Sequence, residues 1–185
     1  MDFHPLTPDR WHDFEQLFGP KGAYGGCWCM WWRLTRARFK QQQGEANRLA
    51  MKSIVDSGQV PGIIGYADGA PVAWCSVAPR SDFAALSRSR VLKAIDDRPV
   101  WSIVCFFVAK SHRRTGALEE LIRAAVSHAA DHGATIVEAY PTVTTSTNAP
   151  PVSVYMGFVD VFAAAGFVEV ARPSRAKRIM RLELR

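Results

Sequence analysis

The turn Lys110-Ser111-His112-Arg113-Arg114-Thr115-Gly116-Ala117 gathers what an anion cradle needs. Amides at a helix start lack intrahelical acceptors and point outward, and the helix dipole adds positive potential there. Gly116 permits close backbone approach and the basic side chains supply charge, so the turn is expected to hold a phosphate or pyrophosphate. The bland alternative is a solvated basic loop. Glu138 is a second candidate, a carboxylate able to act as a general base. Its alternative role is a structural ion-pair partner; Asp160 and His112 are weaker candidates. In Gly25-Gly26-Cys27-Trp28-Cys29-Met30-Trp31-Trp32-Arg33, the indoles of Trp28, Trp31 and Trp32 could hold a cationic amine over their faces, or simply pack the core. Cys27-x-Cys29 lacks a second Cys/His pair at zinc spacing, so no metal is expected.

Those groups need elements to position them. Residues 100–108 read VWSIVCFFV, a nearly continuous apolar run suited to a strand buried on both faces. Leu118, Leu121, Ile122, Ala125, Val126 and Ala129 then recur at helical spacing up to Gly133, and residues 135–140 supply another strand. Residues 100–140 are therefore expected to form a βαβ unit around the basic turn. Upstream, Thr7-Pro8 reads as an N-cap and first helical position, with Trp11, Phe14 and Phe18 on one face. Residues 20–44 are irregular, Ala46, Leu49, Ala50 and Ile54 mark a second helix, and Asp68-Gly69 joins two strands, Gly62–Ala67 and residues 72–77. A short helix and loop are expected over residues 81–97. Downstream, Phe158, Val161, Phe162 and Ala165 mark a helix ended by Gly166, and residues 167–171 and 179–184 form a final strand pair. The expected order is α, α, β, β, β, α, β, α, β, β.

Val108-x-x-x-x-Arg113-Arg114-Thr115-Gly116 resembles the acyl-coenzyme A motif of the GNAT N-acetyltransferases, Arg/Gln-x-x-Gly-x-Gly/Ala after a central strand. The order of elements from Thr7 to Leu184 is similar to that of the family, and Ala165-Gly166-Phe167-Val168-Glu169-Val170 resembles its late GF segment, so the likeness covers nearly the whole chain. Leu118 departs from the motif's final Gly/Ala, and Lys110 replaces a proline frequent after the strand. The resemblance implies a mixed α/β (α+β) single GNAT-like domain over residues 1–185, its central mixed twisted sheet splayed between two strands and flanked by helices. Residues 20–44 and 81–99 would be elaborations. It implies that Phe106, Phe107 and Val108 pair with the pantetheine arm of acetyl-CoA, and that Arg113, Arg114, Thr115, Gly116, Ala117 and Leu118 receive its pyrophosphate. The reaction implied is direct acetyl transfer from the thioester to a primary amine, first of a small molecule and second of a protein terminus or lysine. Glu138 would be the base near the splay. Many family members carry Tyr five residues before the Gly of the GF segment; Val161 stands there, leaving Tyr155, Tyr140 or water to protonate the thiolate.

Composition narrows the rivals. The 185 residues suit one domain, and 48% hydrophobic against 22% charged residues excludes wholesale disorder. No run is long and apolar enough for a membrane span, and the N-terminus does not read as a signal peptide, so a soluble cytoplasmic protein with four reduced cysteines is expected. The net charge of +6 favours an anionic partner such as a phosphorylated cofactor. Basic residues at Arg88, Arg90, Lys93 and 172–178 come without a nucleic-acid reader motif, so no nucleic-acid partner is expected. A Rossmann site wants three glycines where only Gly116 is present. A non-catalytic acyl-CoA binding or sensing module is the alternative from another class, and a homodimer is compatible with the sequence.

Overall fold

The computed structural model describes residues 1–143 and 150–184. Seven strands form one mixed sheet in the order β1-β2-β3-β4-β5-β7-β6. They are β1 (Asp2–Pro5), β2 (Gly62–Ala67), β3 (Ala70–Pro79), β4 (Trp101–Val108), β5 (Ile136–Ala139), β6 (Val168–Ser174) and β7 (Lys177–Glu183). All neighbours run antiparallel except β4 and β5, joined by α5 (Ala117–Asp131) and parallel. The β2–β3 hairpin turns at Asp68 (φ 49°) and Gly69 (φ 77°), consecutive left-handed residues that match the strand twist.

Two elements were not foreseen. Strand β1 is a four-residue edge with no apolar alternation, held by register with β2 from Asp2↔Tyr66 to Pro5↔Ile63. Helix α2 (Arg36–Gln42) lies within the stretch expected to be irregular; it buries only Phe39, too little to print a period, and is capped by the Thr35 hydroxyl accepting from the Arg38 amide at 3.4 Å. Pro8 starts a 3-10 turn, Pro8–Arg10, rather than the helix itself, and the Thr7 hydroxyl accepts from the Arg10 guanidinium instead of a backbone amide. Helix α1 (Trp11–Phe18) follows and buries Trp11, Phe14 and Phe18. The remaining helices are α3 (Glu45–Asp56), α4 (Ala84–Ser87) and α6 (Val159–Ala164).

The sheet is covered on both faces, which is why β4 is apolar but for Ser102. Ile63, Cys75, Ile103, Phe106 and Val137 pack with Leu121, Ile122, Ala125 and Ala129 of α5. Ile64 and Trp74 face the other way, against Phe14, Phe18, Trp28 and Met51. Burying each large aliphatic side chain contributes roughly 1.5–3 kcal/mol, so these two layers anchor β4 from both sides. Between β3 and β4 the register passes from Ser76↔Cys105 to Val77↔Ile103, leaving Val104 as an extra residue. This bulge turns Val104 and Cys105 together toward a third cluster containing Trp32, Phe83, Leu86, Tyr140 and Met156.

His128 on α5 is buried with Nε2 unpartnered among the described residues. Its ring lies 4.3 Å from that of His132 and 5.8 Å from Trp101. Burial, then the His132 charge, pushes its pKa down to about 4 from 6.5. The unfolded chain binds this proton near 6.5 and the folded one near 4. The stabilisation is thus complete above the upper value and lost as pH falls through the lower one. The urea midpoint should decline across that window, and His128→Phe should flatten the decline; an unchanged slope would assign it to other groups.

Candidate functional site

Strand β4 ends at Val108, and the 3-10 turn Lys110–His112 leads into the loop before α5. The Arg113 Nε donates to the Val108 carbonyl at 2.9 Å, tying the loop back to the strand end. The Thr115 hydroxyl donates to the His112 carbonyl at 2.8 Å. Arg114 (φ 65°) and Gly116 (φ 88°) are both left-handed, so the backbone bends twice around Thr115 and delivers α5 with its first amides outward. The amides of Gly116, Ala117 and Leu118 find no backbone acceptor among the described residues, whereas those of Glu119 and Glu120 bond the Gly116 carbonyl. A Cβ at Gly116 would meet nothing within 4 Å, so the space outside it is open. The first-turn carboxylates do not spoil the positive potential: Glu119 pairs with Arg123 and Glu120 with the N-terminal ammonium. The predicted loop residues 113–118 thus stand together at the turn that leads into α5.

Parallel pairing of β4 with β5 stops at Ile103↔Ala139, although β4 continues to Val108. The two strands thus part on the way to the basic loop. Residues 155–158 cross the gap: the Tyr155 carbonyl accepts from the Phe106 amide at 2.7 Å, and the Gly157 carbonyl from the Thr142 amide at 3.0 Å. Gly157, at φ +83°, lies so close that a Cβ would stand 2.8 Å from the Phe162 ring and 3.2 Å from that of Phe106. Phe106 points its ring into the α5 layer and Phe107 packs with Phe18 at 5.5 Å, so only the backbone of this strand end is offered to the gap. The Tyr155 hydroxyl lies near Trp31, Trp32 and Arg36; its pKa is pushed up to about 12, mainly by burial, and it stays a proton donor at neutral pH.

Glu138 sits at the closed end, opposite Ser102, and is fully buried. One oxygen accepts from Arg80 Nη1 at 3.0 Å and from the Tyr140 hydroxyl at 2.7 Å, and the other from Arg181 Nε at 2.7 Å. Arg80 also donates to the Tyr140 hydroxyl, and Ser102 Oγ lies 2.8 Å from it. Because Tyr140 gives its proton to Glu138, Ser102 is the donor in that contact. Arg181 continues to Asp96 at 2.6 Å. The sequence places Glu138 as an inward carboxylate beside the cleft; the fold encloses it as the hub of an ion-pair network, with both oxygens engaged.

The three tryptophans separate. Trp28 is buried, stacked on Phe18 at 5.8 Å, and Trp32 is buried in the cluster beneath α4. Trp31 alone is exposed, and the Arg36 guanidinium lies 3.5 Å from its ring centroid, so a cation already covers that face. Sequence reasoning missed Arg80 and Lys177. Lys177 opens β7 and donates from Nζ to Thr142 Oγ1 at 2.8 Å and to the Tyr140 carbonyl at 3.3 Å, beside Met156. Burial pulls its pKa down to about 8. Neither residue carries a local signal, since Arg80 meets Glu138 across 58 positions.

Removing charge from the hub leaves Arg80 without a carboxylate partner and Arg181 with Asp96 alone. Glu138→Gln should lower unfolding stability by about 3–5 kcal/mol, the usual cost of breaking a buried pair. Chemical denaturation checks this; an unaltered midpoint would mean that solvent reaches the arginines.

The Acetyltransferase (GNAT) family profile matches residues 28–158. No curated protein matches the chain in sequence. Among solved structures it is similar to a ribosomal-protein-alanine N-acetyltransferase from Brucella melitensis (13% identity, 100% of each chain, TM-score 0.55). It is also similar to the PaiA N-acetyltransferase of Thermoplasma acidophilum in complex with coenzyme A (9% identity, 99% of this chain and 98% of that one, TM-score 0.56). A third is AAC(6')-Iy in complex with a bisubstrate analog, CoA-S-monomethyl-acetylneamine (18% identity, 92% of each chain, TM-score 0.55). At these identities the likenesses speak for the shared fold, and the profile, spanning the parting strands and the basic loop alike, carries the assignment: the chain belongs to the GNAT family of acetyltransferases.

Proposed function

We propose that this acetyltransferase uses acetyl-CoA and moves the acetyl group directly to the primary amine of a small molecule. The observation that carries the reading is the group of open amides at Gly116, Ala117 and Leu118, presented at the N-terminus of α5 where β4 leaves β5. A diphosphate suits that cradle, since amide dipoles, helix dipole and the Arg113 and Arg114 side chains all favour negative charge. The strand end fits a pantetheine arm on one condition: the Phe106 amide and Val108 carbonyl must exchange their bonds to Tyr155 and Arg113 for bonds to the arm.

When bound, the donor supplies an activated acetyl thioester. In our reading the Tyr155 hydroxyl donates a hydrogen bond to the departing sulfur, for which its raised pKa keeps it protonated. Glu138 acts as a positioning residue, holding Arg80 and Tyr140 in place beneath the gap rather than meeting the amine. Trp31, with Arg36 on its face, forms the acceptor rim, while Trp28 and Trp32 support it from the core. Trp32, Phe83, Leu86 and Leu92 fill the face beside Tyr155, which supports a compact acceptor over an extended chain. Acetylation of a protein terminus is the second reading, supported by the NatC complex bound to Gag peptide and CoA, similar in fold at TM-score 0.55 and 10% identity.

Substituting Gly116 by valine forces a left-handed β-branched residue, a strain of about 1–2 kcal/mol that the loop relieves by moving its amides. Calorimetry with acetyl-CoA should show binding weakened about tenfold, the equivalent of 1.4 kcal/mol. Unchanged affinity in a folded variant would remove the cradle from the reading. Release of free coenzyme A thiol across polyamines, aminoglycosides, amino acids and N-terminal peptides then decides the acceptor class, with turnover confined to peptides favouring the second reading.

A further inference from the structure

Arg36 is held in one orientation and left without a counter-charge. Its guanidinium lies 3.5 Å from the Trp31 ring centroid and 4.8 Å from that of Trp32, a cation laid against two indoles. Nη1 donates to the Trp31 carbonyl at 2.8 Å, which fixes the rotation of the plane. Nε and Nη2, side by side on one edge of the fork, find no acceptor among the described residues. Arg48, Arg80 and Arg181 each hold a carboxylate; among the described residues none pairs with Arg36. Contact with the rings takes one face of the guanidinium from water, so burial lowers its pKa and no carboxylate offsets this.

Its neighbours are donors and cations. Trp32 is only 7% exposed, and its Nε1–H completes a hydrogen bond to nothing among the described residues, a buried donor that calls for an acceptor the chain does not supply. Tyr155 packs against the cluster that contains Trp32, Phe83, Leu92 and Met156. Lys177 reaches this cluster through the Met156 sulfur at 3.3 Å, and it too pairs with no carboxylate among the described residues. The stretches that supply Trp31, Trp32 and Arg36 (residues 30–44), Phe83, Leu86 and Leu92 (83–95) and Tyr155 and Met156 (150–159) contain no Asp or Glu. The first two carry Arg36, Arg38, Lys40, Arg88, Arg90 and Lys93. Carboxylates of the adjoining elements answer to other arginines: Glu138 to Arg80 and Arg181, Asp96 to Arg181, and Asp82 faces Arg33 at 4.0 Å. Such surroundings repel a polycation and favour an amine that brings its own negative charge.

Resting on direct acetyl transfer to a small-molecule amine, we propose that the acceptor is an amine of the α-amino acid class, its carboxylate held by the Nε and Nη2 edge of Arg36 and its nitrogen beside Tyr155. A carboxylate offers two coplanar oxygens to the parallel N–H bonds of that edge, a bidentate match that an amide or a second ammonium cannot make. The Trp31 carbonyl and the two indoles already orient the guanidinium, so little rotamer freedom is lost on binding. Phe83, Leu86 and Leu92 give the acceptor side chain apolar surroundings. In the transfer the ammonium releases one proton to water, the C–N bond forms as the thioester C–S bond breaks, and the second proton lost by nitrogen ends on the sulfur.

The test is steady-state release of coenzyme A thiol by the full-length protein with acetyl-CoA and matched acceptors. Leucine is set against leucinamide and isoamylamine, phenylalanine against phenylalaninamide and phenethylamine, with spermidine and kanamycin as polycations. The amino acid should exceed its amide and its decarboxylated amine in kcat/KM by about 10–100-fold, the range of charge-assisted hydrogen bonds. Arg36→Gln should erase that preference, chiefly by raising KM for the amino acid, and Arg36→Lys should restore only part of it, since an ammonium lacks the planar fork. Thermal unfolding shows whether each variant is folded; should Arg36→Gln fail to fold, the wild-type ratios and Arg36→Lys decide. Amides, decarboxylated amines or polycations turned over as well as the amino acids, or a preference that persists in Arg36→Gln, would overturn the inference and leave acetyl transfer standing. No thiol release from any of these acceptors would overturn both.

Discussion

Parallel pairing between β4 and β5 lasts only from Trp101↔Val137 to Ile103↔Ala139, and the rest of the site is organised by that early separation. A strand that leaves its neighbour exposes backbone donors and acceptors that must be satisfied. On this chain the Tyr155 carbonyl and the Arg113 side chain meet part of that need, at Phe106 and Val108. The same separation gives α5 an open approach to its first amides. The bulge at Val104 adds local bending to the strand just after the last pair with β5.

Charge is distributed in accord with this geometry. At the closed end, where strands still pair, Glu138, Arg80, Arg181, Tyr140 and Ser102 satisfy one another in a buried network. Such a network survives burial only because every member has a partner. At the open end the loop carries cations and the amides of Gly116, Ala117 and Leu118, which find no backbone acceptor among the described residues. Arg33 follows neither pattern, being buried with the Asp82 carboxylate no closer than 4.0 Å.

Much of the architecture is legible in the chain itself. The apolar run of β4, the helical period of α5 and the Asp68-Gly69 turn are each dictated by local pattern, and the elements they announce are found with bounds shifted by a residue or two. The elements that escape notice, β1 and α2, are those whose order comes from neighbours, since neither buries enough of itself to leave a period. The basic loop could be read as an anion site because its ingredients lie within eight consecutive residues.

Tertiary structure decided what depends on distant partners. Glu138 changes from a cleft carboxylate into an ion-pair hub because Arg80 and Arg181, far along the chain in both directions, reach it. Trp28 and Trp32 turn inward and Trp31 outward because the strained backbone at Trp28 and Cys29, invisible in composition, sets their directions. The sequence by itself determined the strands other than β1, helix α5 and the basic turn before it, since short-range periodicity and turn chemistry suffice for these. Which carboxylate is enclosed and which indole is open were settled only by long-range packing, because burial and proximity are properties of the assembled layers.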